Sequence, residues 1–258
     1  MTPFDATLFI QEIGRVTSRL RRLDARRTVF GSSKHDYSFA KPLSEETVAA
    51  YELRHSLALP LEYRTFITRI GNGGAGPDYG VLPLPLQPPN LTLDWPYDEC
   101  HEVEEDDAAN DEYFEPPGAF QLADCGCATY QLLVVRGVHA GEVWLDSRNQ
   151  YPGGFKPLLA RDGVRLRFGS WWSLYMNRDL ERFERVRALM NTHTPHEQIH
   201  QALDSSVGQL AVDQTMASLM DVALLGTPKV VPDKPWGLAC GLVEEHYTRW
   251  LARGRSIE

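Results

Sequence analysis

Two stretches of this chain hold residues at spacings that could do chemistry. His196-Glu197-Gln198-Ile199-His200 is an H-E-x-x-H pattern. It puts two imidazoles on one helix face, where they could share a zinc ion while Glu197 activates a bound water, the arrangement of a zinc peptidase. Gly71-Asn72-Gly73-Gly74-Ala75-Gly76 has G-x-G-x-x-G spacing, the turn that lays a dinucleotide pyrophosphate on the free amides of a helix N-terminus.

Each chemistry makes a further demand. A catalytic zinc needs a third protein ligand. The metzincin continuation would put Gly at 203 and His at 206, where Leu203 and Ser206 stand, leaving only a distant carboxylate such as Glu244 or Glu245. The dinucleotide turn must follow a strand and open a helix. Here the residues before Gly71 have helical periodicity, Pro77-Asp78-Tyr79-Gly80 leads into a strand-like run, and no Gly-Lys-Ser/Thr follows for a Walker loop. Gly71 or Asn72 is expected instead to end a helix in the left-handed conformation. Cys125-Gly126-Cys127 has no His nearby, is read as small buried cysteines in a sheet, and no G-x-S-x-G elbow occurs. No catalytic residue, metal or cofactor is assigned, and a zinc peptidase through His196, Glu197 and His200 is kept as an alternative.

The elements that position these residues are legible from period and caps. After an amphipathic N-terminal helix, Ser44 caps a helix with Glu45 and Glu46 in its first turn, for which Ala50, Leu53 and Leu57 are expected as the inward edge. Pro60 opens the next, burying Tyr63, Phe66, Ile67 and Ile70. Strand-like runs follow at 120–122, 130–136 and 141–145, with VRLRF as a further candidate. Ser170 is expected to cap a long helix with a Trp172, Met176, Leu180, Phe183, Val186, Met190 stripe, and Thr194-x-x-Glu197 is a capping box opening a helix through Ile199 and Leu203 toward Leu210. Helices, then strands, then a helix give an α+β fold with a mainly antiparallel sheet. The expected division is a domain over 1–190 and a helical extension over 191–258 packing on it.

Charge narrows the partners. Between Asp98 and Glu115 there are ten carboxylates in eighteen residues and no Lys or Arg, and removing them from the net charge of −9 leaves the rest at +1. Such a field repels phosphate backbones and attracts a basic protein surface, so Asp98, Glu99, Glu102, Glu104, Glu105, Asp106, Asp107, Asp111 and Glu112 are the candidate partner-binding residues, and direct nucleic-acid binding is not expected. Arg15, Arg19, Arg22 and Arg26 recur at helical spacing as a solvated face or a counter-surface to those carboxylates. No apolar run approaches the roughly 20 residues of a membrane helix, and the N-terminus lacks the plan of a secretory signal, which makes a cytoplasmic location the expectation.

LPLEYRTFITRIGNGGAGPDYGVLPL, residues 59–84, resembles the signature of the SUKH superfamily, which includes fungal cell-wall assembly regulators and many bacterial proteins. Leu59, Pro60, Tyr63, Phe66, Asn72, Gly73, Gly74, Gly80 and Leu82 fall on it. LADCGCATYQLLVVRG, with Gly126, resembles the family's hairpin strand, while GEVWLD (Gly141, Trp144, Asp146) and SWWSLY (Trp172) resemble its later strand and closing helix. The match spans 44–183; the acidic insertion at 98–115 and the tail beyond Met190 lie outside it. The resemblance implies a non-catalytic protein-binding domain, most often a bacterial immunity protein that neutralises a toxin, frequently a nuclease with a basic face, and alternatively a regulatory scaffold of the cell-wall type.

Overall fold

The computed structural model describes residues 4–87, 91–103, 116–203, 208–225, 240–253 and 257. Ser44 opens its third helix as its sequence requires, the hydroxyl accepting from Thr47 N at 3.2 Å. In chain order the elements are α1 (Ala6–Leu23), α2 (Ser32–His35), α3 (Glu45–His55), α4 (Leu61–Arg69), β1 (His101–Val103), β2 (Ala119–Gly126), β3 (Thr129–Val134), β4 (Val143–Asp146) and β5 (Gly153–Pro157). The helices α5 (Phe168–Asn191), α6 (His196–Ala202), α7 (Gln209–Leu225) and α8 (Cys240–Leu251) complete the chain. All strand pairs are antiparallel, so the class is α+β. No helix among the described residues is long and apolar enough to cross a membrane.

The chain divides into two compact units, residues 1–14 with 37–176, and 15–36 with 177–258. This differs from a boundary at 190. The second unit takes in residues 15–36 and the last part of α5, because α1 and α5 are joined there by side chains: Arg19 bonds Glu184 at 2.5 Å, and Arg15 donates to Asn177 Oδ1 at 3.2 Å.

In the first unit the sheet runs β1-β5-β4-β3-β2. Strands β2 to β5 form a meander, and β1 lies at the far edge with Glu102 opposite Gly154. Trp95, Leu132, Val134, Trp144 and Phe155 make one buried cluster. A second aromatic group joins helices to sheet, with Tyr63 at 5.6 Å from Phe120 and 5.3 Å from Phe168, and Phe66 at 5.2 Å from Phe168. The two pairs with Phe168 are edge-on, which adds directional attraction to the area they bury.

Several local expectations shift. The inward edge of α3 is Val48 and Tyr51, while Ala50 is exposed and Leu53 is 82% exposed. An 11-residue helix with few apolar side chains permits either phase, and packing decides. Pro60 stands just before α4 rather than in it, and Ile70 is only half-buried. Helix α5 starts at Phe168, so Ser170 sits inside the first turn, accepting from Arg167 N at 2.9 Å. The VRLRF run makes only isolated bridges, Leu159 with Arg165 and Glu142 with Arg167.

In the second unit the α5 stripe from Leu180 to Met190 is buried, as are Val16, Leu20, Ile199, Met216, Tyr247 and Trp250. Thr194 does not cap α6; its hydroxyl meets that of Thr192 at 3.0 Å, and its carbonyl accepts from Tyr247 Oη at 2.8 Å. Leu203 turns extended and ends α6, so the run toward Leu210 is broken and α7 forms a separate 17-residue helix.

Candidate functional site

The glycine-rich turn is a backbone junction. It follows helix α4, not a strand, and the amides from Gly71 to Ala75 have partners: Gly73 N bonds Gly71 O at 2.9 Å, Gly74 N bonds Val81 O at 2.9 Å, and Ala75 N bonds Ser38 O at 2.8 Å. Amides so engaged cannot cradle a phosphate. Neither Gly71 nor Asn72 is left-handed; positive φ falls on Gly73 and Gly74, at 93° and 119°. Gly71 is required for a different reason, since a Cβ there would lie 2.6 Å from Ala40 O.

The other signature positions hold this junction and the sheet. Leu59, Pro60, Tyr63 and Phe66 are buried. Asn72 Oδ1 accepts from Leu84 N at 2.8 Å, and Trp172 Nε1 donates to Ala75 O at 3.0 Å. Gly80, Gly126 and Gly141 all have positive φ, at 95°, 83° and 97°. Trp144 is fully buried and donates to Glu142 at 3.2 Å, while Asp146 pairs with Arg148 at 2.8 Å.

Of the acidic segment, Asp98, Glu99 and Glu102 are described; Glu104, Glu105, Asp106, Asp107, Asp111 and Glu112 lie outside the described residues. Glu102 is exposed on edge strand β1. Asp98 and Glu99 are exposed but anchored: Asp98 Oδ1 meets His139 Nε2 at 2.9 Å, and Glu99 Oε1 accepts from Arg165 at 3.2 Å. Arg165 also donates to the Asp98 carbonyl and to Glu142 Oε2, the latter at 3.1 Å. The hydrogen bond to Asp98 holds the His139 imidazolium above its usual range against the pull of burial, with Glu142 reinforcing and Arg165 opposing. The counter-charge for this head is therefore Arg165 and His139. Of the N-terminal arginines, Arg19 pairs with Glu184, Arg26 with Asp221, and Arg15 donates to Asn177.

The cysteines are not a buried pair. Cys127 is exposed on the β2–β3 turn, where the chain must reverse, and Cys125 is half-buried. Burial, then the adjacent Asp78 carboxylate, pushes the Cys125 thiol well up; its Sγ donates to Asp78 Oδ2 at 3.3 Å. A thiol held protonated is a poor nucleophile.

The H-E-x-x-H pair acquires a third residue. Four residues apart on α6, His196 and His200 share a face, and α7 brings Asp213 to both: Asp213 Oδ1 is 2.8 Å from His196 Nε2 and 3.0 Å from His200 Nε2. Asp213 is 2% exposed. Leu203 has no ligand atom to offer, and Ser206 and the side chains of Glu244 and Glu245 lie outside the described residues. Sequence reasoning passed over Asp213. The available signal was a lone acid in the apolar run LAVDQTMASLM, since an unpaired carboxylate is rarely placed in a buried helix face. Glu197 is exposed and accepts from Gln201 Nε2 at 3.3 Å.

Compared with family models, curated proteins and solved structures, the chain finds no match in any of the three.

Proposed function

We propose that this chain is a non-catalytic protein-binding module of the SUKH type, acting in the cytoplasm as an immunity protein that occupies the basic face of a toxin. The observation that carries the reading is the charge distribution, ten carboxylates in one eighteen-residue segment of a chain otherwise near neutrality. That segment begins at an exposed sheet edge, where Asp98 and Glu99 are tied down by His139 and Arg165. Anchoring its head fixes Asp98 and Glu99 beside that edge, where Glu102 is also exposed. A nuclease face that holds phosphates is basic, and a carboxylate-rich surface competes for it while accelerating encounter about 10-fold or more. The residues of the family-like signature support this reading by their roles, since each fills the core or tightens a turn and none faces another as a nucleophile–base pair.

The test begins with the reading frames that adjoin this gene: a toxin-like product among them is co-expressed with this chain, and cell-envelope genes in its place favour the scaffold reading. Co-expression should restore growth. Replacing Glu104, Glu105, Asp106 and Asp107 with Lys should slow association roughly 10-fold at low salt and flatten its salt dependence, with little change in melting temperature. Equal association rates for the two proteins would reject the steering role, and failure to restore growth would reject immunity.

A further inference from the structure

His196 Nε2, His200 Nε2 and Asp213 Oδ1 form a triangle with edges of 2.8, 3.0 and 3.3 Å. Hydrogen bonds among the three groups leave part of the cluster unsatisfied. If both imidazoles donate to Asp213 Oδ1, two N–H groups crowd onto one oxygen with their nitrogens 3.3 Å apart, and neither serves the other oxygen. If one imidazole instead accepts from the other, its lone pair is directed at a carboxylate oxygen that needs a donor. The second oxygen, Asp213 Oδ2, is buried with no hydrogen-bond partner. Among the described residues no Lys or Arg pairs with Asp213, and its ion-pair partners are the two histidines. A buried carboxylate with an oxygen left over is a strong ligand for a cation.

We propose that His196, His200 and Asp213 bind a divalent first-row transition-metal ion, with zinc as the reference ligand. The three ligand atoms lie together in space. Bonds of about 2.1 Å place ligand atoms ~3.0 Å apart in an octahedral set and ~3.4 Å apart in a tetrahedral one, and the edges of the triangle, 2.8, 3.0 and 3.3 Å, lie within a few tenths of an ångström of those spacings. An ion at that distance sits about 1 Å off the plane of the three atoms and takes all three lone pairs at once. Two imidazoles with one carboxylate suit zinc, iron or cobalt, whereas calcium and magnesium select all-oxygen sets. The ligands form one face of the ion's shell and leave positions for water, which reaches the histidines at 16% and 14% side-chain exposure.

The ion's effect on the fold follows from which elements it joins. It ties α6 to α7 across the connection that begins at Leu203, so it staples the second unit. Glu197, held by Gln201, is outside the ligand set. The site stands independently of any toxin partner.

The experiment is a titration of the full chain, stripped with EDTA, with zinc chloride, followed by Co2+ substitution read by visible absorption. The wild-type protein should take one ion with a dissociation constant below about 10 μM, show the d–d bands of bound Co2+, and melt at higher temperature with zinc. His200→Gln and Asp213→Asn should each weaken binding by roughly 100-fold and lose the bands, and Glu197→Ala should bind as wild type. If Asp213→Asn fails to fold, His200→Gln decides, because Gln keeps a donor for Asp213. The proposal is overturned by no stoichiometric binding to the wild type, by wild-type affinity in a folded His200→Gln protein, or by a loss in Glu197→Ala as large as in His200→Gln.

Discussion

Gly74→Ala adds one methyl group where the chain has no room for it. At φ 119° the residue occupies a conformation that L side chains rarely adopt, a strain of ~1–3 kcal/mol. The new Cβ would also stand 2.4 Å from Ser38 O and 2.7 Å from Phe39 Cα. Both are backbone atoms, held by the Phe39–Gly74 bridge and by the Ala75 N to Ser38 O bond at 2.8 Å, so neither can move without breaking the junction. Overpacking of this kind adds ~1–3 kcal/mol, for a total near 4 kcal/mol, a large part of a typical stability of 5–15 kcal/mol. At about 2–4 °C per kcal/mol the first unit should melt roughly 10 °C lower. The assay is thermal unfolding followed by tryptophan fluorescence, since Trp172 donates to Ala75 O next to the junction. Gly163→Ala is the control: its φ is 81° with nothing within 4 Å of an added Cβ, so it carries only the conformational cost, about 1 kcal/mol. Equal melting of the two variants would refute the close-approach argument.

Because the folded-state pKa of His139 is raised, its contribution to stability is present below the unfolded value near 6.5 and is lost as pH rises through the folded one. His139→Gln should therefore destabilise at pH 5.5, by less than ~1 kcal/mol given the exposure of Asp98, and scarcely at all at pH 9; urea titrations at the two pH values check this. Asp24, fully buried, accepts from Thr28 N at 2.6 Å, Thr28 Oγ1 at 2.9 Å, Val29 N at 3.2 Å and Ser32 Oγ at 3.1 Å. Asp24→Ala leaves these donors stranded and should cost about 3–5 kcal/mol in denaturant unfolding, and a cost under 1 would contradict that role. Alkylation mapped by mass spectrometry at neutral pH should modify exposed Cys127 and Cys100 well before Cys125, whose thiol is held protonated; equal rates would count against the Asp78 contact.

What the amino-acid sequence determined by itself is written in short-range chemistry. The Tyr63, Phe66, Ile67 face, the stripe from Trp172 to Met190, the Ser44 cap and the antiparallel meander each depend on residues within one or two turns or one hairpin, where helical period, capping and alternation act. The tertiary structure alone chose Val48 and Tyr51 over Ala50 and Leu53 in α3, since a short, weakly patterned helix takes its phase from what it packs against. It also chose the partners of charges. Arg165 reaches Glu99 across 66 residues, and Asp213 reaches His200 across 13 with a helix break between them. A buried carboxylate stands out in a sequence as an anomaly, but what compensates it depends on which helix the chain folds back beside it, and that is decided by the packing of the whole unit.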